Sequence, residues 1–463
     1  MSAAGARVAD RPRVQKQRNN SSATASKSRS AAARERRANA DRRRGESAGE
    51  RAAAGLRLVT EPNRWQRMDW LRVHSARHGQ RMCGLSAAVD EVTVQRGAGG
   101  VSFGGLLTCG SRTCPNCGPR IAAQTRTDIE RAIDTWMNWP GNVRHTLWFG
   151  TFTIRHTRGQ SFEELASAVS AAWGAATGGR GWMRDREQHG IAHTLRIFEQ
   201  KWSQRNGWHI HVHALFFIDD TLLDDTDHTG LLAAMFKRWA SKAIALGMGV
   251  PLIRAQDMHK VTGQEALDRV ADYFAKETTD ASNDHPGSIA AEMSNGAGKQ
   301  GITSLTPGQI LAWAMAGEDY IAQLWGPGSG KGRGIQGQEY ARHLYSEFER
   351  GMKGRRMIAW SRGMRDMLGL GAEPTDEELA ARQEAIETAT RDTLVSMTGN
   401  DWRRFTARPG RRAELYAVAQ TLEPGELVDW LAGFGVTALP HKRDRTGTST
   451  VHFEHDYTGE LPF

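Results

Sequence analysis

Three histidines occupy every second position of an otherwise apolar run, residues 208–217, that is typical of a β-strand. Alternate residues of a strand share one face of a sheet, so His209, His211 and His213 are expected to project together. Imidazole nitrogens on a half-buried face need polar partners, which a metal ion or bound water can provide. The pattern therefore indicates a candidate metal site, with a polar strand face as the alternative.

A carboxylate stands upstream of these histidines. Glu199 ends the strand-like run 194–199, and a polar segment with one glycine, 203–207, separates it from the histidines. This layout predicts a strand, a turn and a second strand, with Glu199 across from the histidine face. Two imidazoles, one carboxylate and open positions would let a metal act as a Lewis acid, and the carboxylate lets Mg²⁺ or Mn²⁺ compete with Zn²⁺.

A candidate nucleophile follows downstream. Residues 264–277 have the apolar spacing of an amphipathic helix, on which Tyr273 and Lys276 share a face. The chain has only 6 tyrosines, so few phenols are available. The alternative is a surface tyrosine beside a solvated lysine.

Together these segments resemble the rolling-circle plasmid replication initiators, or Rep proteins, of the HUH endonuclease superfamily, particularly the actinobacterial plasmid type. The segments similar to the three family motifs are Phe149–His156, then His211-Val212-His213, and then Tyr273 with Lys276. A further stretch, from Tyr345 to Arg365, is similar to one that follows the nuclease core in the actinobacterial members. The resemblance runs from about Cys83 to Leu370.

The resemblance implies an α+β fold whose HUH core is an antiparallel sheet covered by helices. It implies that His211, His213 and Glu199 hold a divalent ion, Mg²⁺ or Mn²⁺, with His209 as a further candidate ligand. Tyr273 would attack a DNA phosphate, leaving a 5′-phosphotyrosine and a 3′-hydroxyl primer, and the same site would rejoin the strand at termination. Lys276 would favour the phenolate or bind a backbone phosphate.

One position departs from the family. Some relatives carry a glutamate one helical turn before the tyrosine, and here that residue is Arg269. No residue is therefore assigned to termination. A relaxase or transposase of the same superfamily, and a non-catalytic zinc-containing DNA-binding repressor, stand as the alternatives to the initiator.

All four cysteines, Cys83, Cys109, Cys114 and Cys117, fall within one stretch of 35 residues. The Cys-x-x-Cys pair at 114 and 117 has knuckle spacing, and the other two would complete a tetrahedral thiolate site for structural Zn²⁺. Related initiators carry similar cysteine pairs before the first motif. Free buried thiols are the alternative, and a disulfide framework is not expected.

Positive charge is concentrated at the beginning of the chain. Residues 1–60 contain 15 Lys or Arg and 5 Asp or Glu, a net of +10, whereas the whole chain carries +9. The composition of residues 1–57 predicts a disordered basic tail. The tail would bind DNA nonspecifically or act as a solubilising extension. Its candidate DNA-binding residues are Arg36, Arg37, Arg42, Arg43 and Arg44.

The remaining chain is expected to divide into several regions. These are a cysteine module with a connecting helix at 58–140, the HUH core at 141–280, a flexible insertion at 281–304, a mostly helical accessory region at 305–440 and a polar tail at 441–463. The connecting helix is expected from Ile121 to Trp139, and Ser161 and Glu164 have the spacing of a capping box for a helix of the core. Within the accessory region, residues 377–397 have helical periodicity. No apolar run approaches a membrane span, so a soluble, cytoplasmic protein without a membrane partner is expected.

The expected partners follow from the resemblance and from the rejection of one apparent phosphate-binding motif. Residues 326–332 look like a phosphate-binding loop, but the glycine spacing is one residue short and no Ser or Thr follows Lys331. An intrinsic ATPase helicase is therefore not expected. The partners would be plasmid origin DNA, as a single-stranded or hairpin nick site, together with a host helicase and a DNA polymerase.

Overall fold

The computed structural model describes residues 62–140, 144–219, 229–263, 267, 304–317, 320–321 and 337–441. The basic tail with its five candidate arginines lies outside the described residues. So do Tyr273, Lys276, Arg269, the segment 326–332, and nearly all of the expected insertion and C-terminal tail.

The described strands form two antiparallel sheets. Their bounds are β1 Glu91–Gly97, β2 Gly100–Gly104, β3 His145–Thr153, β4 Ile191–Ser203, β5 Gly207–Asp219, β6 Asp257–Lys260, β7 Ile358–Trp360, β8 Asp392–Thr398 and β9 Ala438–Pro440. A five-stranded sheet has the order β6-β3-β5-β4-β7, and a four-stranded sheet has the order β2-β1-β8-β9. Every strand pair in both sheets is antiparallel.

Helices surround both sheets. Their bounds are α1 Arg64–His74, α2 His78–Met82, α3 Cys117–Met137, α4 Phe162–Ala176, α5 Gly179–Gln188, α6 Thr229–Ala245, α7 Pro307–Ala316, α8 Gln338–Gly351, α9 Met364–Met367, α10 Asp376–Thr390, α11 Gly399–Thr406, α12 Arg411–Val418 and α13 Pro424–Ala432. None of these described helices is both long and apolar enough to cross a membrane. The α+β class, with antiparallel sheets flanked by helices and a largely helical C-terminal region, is confirmed.

The centre of the five-stranded sheet is the hairpin of β4 and β5, which confirms the predicted strand, turn and strand. Each strand has 13 residues. Their pairing runs from Ile191, which is opposite Ile218, to Ser203, which is opposite Gly207. Gly207 closes the turn at φ +73°, where a Cβ atom would lie 2.9 Å from the carbonyl oxygen of Arg158. Only glycine fits this backbone and this close approach without strain.

The two faces of this sheet bury different apolar sets. On one face Phe152, Val212 and Phe216 pack in a cluster that includes residues of α4, α6, α7 and α8. On the other face Phe149 and Leu215 belong to a cluster with residues of α3 and α9. The histidines of β5 have the parity of Leu215, so they lie on this second face, which we call the α3 face.

Two local sequence signals are confirmed with small shifts. Ser161 and Glu164 form the expected capping box at the start of α4. The connecting helix predicted at 121–139 is α3, which begins at Cys117 and ends at Met137. It begins earlier than predicted because Pro119 lies in its first turn, where its lack of an N–H costs nothing.

The C-terminal region departs from the expectation in one important respect. The helix predicted over 377–397 is wrong in its last third, because α10 ends at Thr390 and residues 392–398 form β8. Strand β8 pairs with β1, so regions 58–140 and 305–440 contribute to one sheet and one hydrophobic cluster. Pairing with a strand about 300 residues away in sequence overrides the local helical periodicity.

Replacing Trp402 by Ala tests this shared core. Trp402 is fully buried, packs against Phe103 at 5.1 Å between ring centroids and donates from Nε1 to the carbonyl of Gly84 at 3.2 Å. Large-to-small substitution of a buried tryptophan should lower the free energy of unfolding by about 3–5 kcal/mol. Urea unfolding of the full chain measures it.

The matched control is Leu439→Ala on β9, where the side chain is 64% exposed. It should change the unfolding free energy by less than about 0.5 kcal/mol. If Trp402→Ala destabilised no more than this control, residues 399–406 would not be part of the core of the four-stranded sheet.

Candidate metal centres

Strand register brings two histidines and one glutamate together on the α3 face. In the β4–β5 hairpin Glu199 stands directly opposite His211, and His213 follows two residues later on the same face. The three side chains are buried, with Glu199 and His213 at 1% exposure. The strand register therefore places Glu199 across from the histidines, as the sequence predicts.

The donor atoms of these three residues converge on one point. Oε2 of Glu199 lies 2.7 Å from Nε2 of His211 and 2.7 Å from Nε2 of His213, and the two nitrogens are 2.8 Å apart. We call this set the His-His-Glu centre. Two imidazoles and a carboxylate form a donor set that suits divalent cations and leaves further coordination positions open.

Thr151 on β3 orients one of these ligands. Its hydroxyl lies 3.0 Å from Nδ1 of His213, because Thr151 and His213 are opposite each other in the β3–β5 pairing. When Nδ1–H donates to this hydroxyl, Nε2 presents a lone pair to the carboxylate of Glu199, which is also an acceptor. A cation between the two acceptors removes their repulsion, so the residues present fit a bound metal ion.

The electrostatics of the centre keep two of its ligands, His213 and Glu199, in the form that a metal requires. Burial, together with the charge of His211, lowers the pKa of His213 to about 4. Burial would raise the pKa of Glu199, but His211 and Lys201 hold it well below its usual value. Lys201 contacts the other carboxylate oxygen of Glu199. A neutral imidazole and an ionised carboxylate are the states that bind cations.

Of the other three residues predicted for this site, the structure describes only His209. His209 lies on the same face, with its ring 4.8 Å from that of His211 and 5.0 Å from that of His156. Among the described residues, His209 is not in the group whose ligand atoms converge. Tyr273 and Lys276 lie outside the described residues, so their placement stays a prediction.

The four cysteines form a second candidate centre. Cys83 follows α2, Cys109 and Cys114 lie in the loop before α3, and Cys117 is the first residue of α3. The sulfur atoms of Cys83 and Cys117 are 3.7 Å apart, those of Cys109 and Cys117 3.8 Å, and those of Cys83 and Cys114 3.7 Å. A tetrahedron of sulfurs about 2.3 Å from a zinc ion has edges of about 3.8 Å, so the cluster has the size of a zinc site.

The four cysteines are free thiols that interact with one another, and none of them forms a disulfide. Hydrogen bonds from Cys109, Cys114 and Cys83 hold the pKa of the Cys117 thiol well below its usual value, whereas burial raises the pKa of the Cys114 thiol. The guanidinium of Arg412 donates to the carbonyl of Cys83 at 2.8 Å and pairs with Asp69 at 2.7 Å. This buried pair fixes the backbone of one ligand.

Three supporting residues were not found by sequence reasoning. Thr151 lies within the segment that resembles the first family motif, and this was the only signal for it. Lys201 follows Glu199 by two residues, the spacing that shares a strand face. Arg412 had no signal, because an arginine in a charged segment is expected at the surface.

The sheet and its two donor clusters define an α+β protein with two candidate metal centres, one of histidine and glutamate and one of cysteine. Within the curated proteins, the chain is 25% identical over 374 residues to a protein named Protein rep from Streptomyces lividans, a match that covers 70% of this chain and 78% of that protein. The similarity confirms, at modest identity, the resemblance to Rep proteins. No protein-family model matches the chain, and no solved structure matches it significantly.

Replacing Thr151 by Val tests the His-His-Glu centre without removing a ligand. Loss of the hydroxyl beside Nδ1 of His213 should weaken Mn²⁺ binding by about 10- to 100-fold, the usual effect of removing a residue that orients a metal ligand. Isothermal titration of the full chain with Mn²⁺ measures it.

Thr146→Val is the control on the same strand, because the buried hydroxyl of Thr146 has no hydrogen-bond partner among the described residues. It should leave the Mn²⁺ affinity within about twofold. Equal affinities for the Thr151 and Thr146 variants would contradict the role given to Thr151.

Replacing Cys114 by Ser tests the cysteine cluster. The chain purified under reducing conditions should contain about one zinc ion, and the variant should lose it, because one thiolate of a four-coordinate site is removed. Metal content is measured by atomic emission. Ser111→Ala in the same loop should retain the zinc. A Cys114→Ser variant with undiminished zinc would rule out the cluster as the zinc site.

Proposed function

We propose that this chain initiates rolling-circle replication of a plasmid. It binds the double-strand origin, nicks one strand through Tyr273 and rejoins the strand when replication terminates. The observation that carries the proposal is the His-His-Glu centre on the central hairpin of an antiparallel sheet. The similarity to a protein named Protein rep supports the same role.

The chemistry required for nicking matches the residues of this centre. A phosphodiester is anionic and resists nucleophiles, so cleavage needs neutralisation of charge at the phosphoryl oxygens. A divalent ion, Mg²⁺ or Mn²⁺, would supply that neutralisation when held by Glu199, His211 and His213. Thr151 would keep the imidazole of His213 in the orientation and tautomer that this binding needs.

Tyr273 would provide the nucleophile. Its phenol oxygen would form a bond to phosphorus while the bond from phosphorus to the 3′-oxygen breaks, and the departing 3′-oxygen would take a proton. The products would be a 5′-phosphotyrosine and a free 3′-hydroxyl that primes synthesis. The covalent bond retains the energy of the phosphodiester, so rejoining would need no ATP. Lys276 would favour the phenolate or bind a phosphate.

Leu267 supports a tyrosine acting on the α3 face. It is the described residue nearest in sequence to Tyr273. Leu267 is 8% exposed and belongs to the same hydrophobic cluster as Phe149 and Leu215, which share a sheet face with His213. Leu267, six residues before Tyr273, therefore packs on the face that carries the metal ligands.

The cysteine cluster would serve as a structural zinc site. Its residues lie within a hydrophobic cluster that includes strands β1 and β8. Zinc would stabilise the loop from Cys109 to Cys114, which has few apolar residues of its own. A host helicase would unwind the plasmid and a polymerase would extend the primer.

The test is the formation of a covalent adduct with DNA. The full chain is incubated with a labelled single-stranded library from its own replicon, with added Mn²⁺ or Mg²⁺ or with both omitted, and denatured. An adduct should form only with added metal and should disappear in Tyr273→Phe, because the phenol oxygen is the nucleophile. Omitting the metal is preferable to a chelator, which would also attack the cysteine cluster.

Tyr340→Phe is the matched control, because this partly buried tyrosine packs against Trp202 and Trp313 and should keep its ring contacts. It should form the adduct as the native chain does. An adduct that persists in Tyr273→Phe would contradict the assigned nucleophile. Tight duplex binding without any adduct would favour the non-catalytic repressor.

A further inference from the structure

An unusual number of aliphatic side chains is exposed just before β6. Of the fourteen exposed large hydrophobic residues in the described part of the chain, five lie between positions 244 and 253. Three of them, Val250, Leu252 and Ile253, are 58%, 44% and 46% exposed and follow one another on a short loop. We call residues 250–254 the aliphatic loop. Clustered exposed aliphatics usually indicate a surface that meets a partner.

The aliphatic loop is held in a fixed conformation. Gln256, which is buried, donates to the carbonyl of Leu252 at 3.0 Å and accepts from the backbone N–H of Thr153 at 2.7 Å. Residues 253–255 form a single 3₁₀ turn, and Pro251 is buried. The exposed side chains are therefore presented on a loop that is braced against β3, so contact with a partner costs little ordering entropy.

The loop lies beside the His-His-Glu centre. Thr153 stands opposite His211 in the β3–β5 pairing. The Thr153 hydroxyl donates to the carbonyl of Ala255, within the 3₁₀ turn, at 3.3 Å. Only strand β3 separates the aliphatic loop from β5, the strand that carries His211 and His213. A DNA strand bound at the His-His-Glu centre would therefore reach the aliphatic loop.

The same end of the sheet is rich in positive charge. Arg155 and Arg158 follow β3, Arg205 lies in the β4–β5 turn, and Arg254 ends the aliphatic loop; all four are exposed. The side chain of Arg155 lies across Gly249, just before the loop. Among the described carboxylates, none forms an ion pair with any of these four arginines. Unpaired arginines around an apolar loop are complementary to a phosphate backbone that carries apolar base surfaces.

We propose that the aliphatic loop is a wedge that packs against the last base pair of a DNA duplex, where the strand to be nicked becomes single-stranded. The neighbouring arginines bind the flanking phosphates. Aliphatic side chains that insert at base steps unstack DNA without hydrogen-bond readout, so the contact is independent of base identity. This inference rests on the proposed function, since it names the form of DNA that the nicking site receives.

The experiment uses a synthetic DNA fork, a short duplex with one single-stranded arm, that carries 2-aminopurine at the terminal base pair. Fluorescence reports unstacking of this base, and anisotropy of a distant dye reports binding. No Mg²⁺ or Mn²⁺ is added, so opening of the fork is measured in the absence of DNA cleavage. The full chain is compared with the triple variant Val250→Ser, Leu252→Ser and Ile253→Ser. The control carries serine at three exposed aliphatic positions on other elements, Val73, Ile386 and Leu439.

The native chain and the control should raise the 2-aminopurine fluorescence severalfold on binding the fork. The triple variant should bind the fork within about threefold of the native affinity, because the phosphate contacts remain, but should leave the fluorescence unchanged. A native chain that binds the fork without raising the fluorescence would overturn the wedge. So would a triple variant that raises it as the native chain does, or one that no longer binds.

Failure of the proposed nicking function is detected by a different measurement, the formation of the covalent adduct. A chain that never forms the metal-dependent covalent adduct with any strand lacks the nicking activity, whatever its effect on the fork. Fork opening is measured without cleavage, so a chain that opens the fork and forms no adduct retains the wedge and loses the nuclease.

Discussion

The register of the β4–β5 hairpin is the constraint on which the candidate nuclease site depends. Glu199 meets His211 only because these residues are cross-strand partners, and a slip of one residue would move the carboxylate to the opposite face of the sheet. Burial of both sheet faces prevents that slip. Phe216 packs on one side and Leu215 on the other, so a slip of one residue would move each side chain into the cluster formed around the other. The polar centre is thus positioned by the apolar clusters around it.

The cysteine region is joined to the five-stranded sheet through α8. Glu349, which is fully buried, accepts from the hydroxyl of Ser75 at 2.6 Å and from the backbone N–H of Ala76 at 2.9 Å. Tyr345 donates its hydroxyl proton to the carbonyl of Thr113, next to Cys114, at 3.2 Å. Since α8 also packs on the sheet through Phe348, the two candidate metal centres are held in one framework.

The parts of the fold that the sequence predicted depend on local patterns. Alternation of His209, His211 and His213 identifies a strand face, and the glycine-containing turn identifies the hairpin, because both signals lie within a few residues. The capping box at Ser161 is equally local. The cysteine spacing predicted a cluster whose four sulfurs the structure brings together.

The parts that the sequence did not predict depend on contacts between distant residues. The role of Thr151 depends on the register of β3 against β5, which no local period specifies. Strand β8 forms because it pairs with the edge of β1, about 300 residues earlier in the sequence. Arg412 is buried because its guanidinium donates hydrogen bonds to Asp69 and to the carbonyl of Cys83. The position of Tyr273 stays a prediction, supported by the packing of Leu267.

The central claim is that His211 and His213 bind one divalent ion together with Glu199. Pulsed electron paramagnetic resonance on Mn²⁺ bound to the full chain, labelled with ¹⁵N-histidine, tests it most directly. Couplings to two imidazole nitrogens are expected in the native chain, and one coupling should remain in each of His211→Gln and His213→Gln. Bound Mn²⁺ without any histidine coupling would contradict the account, because the ion would then occupy another site.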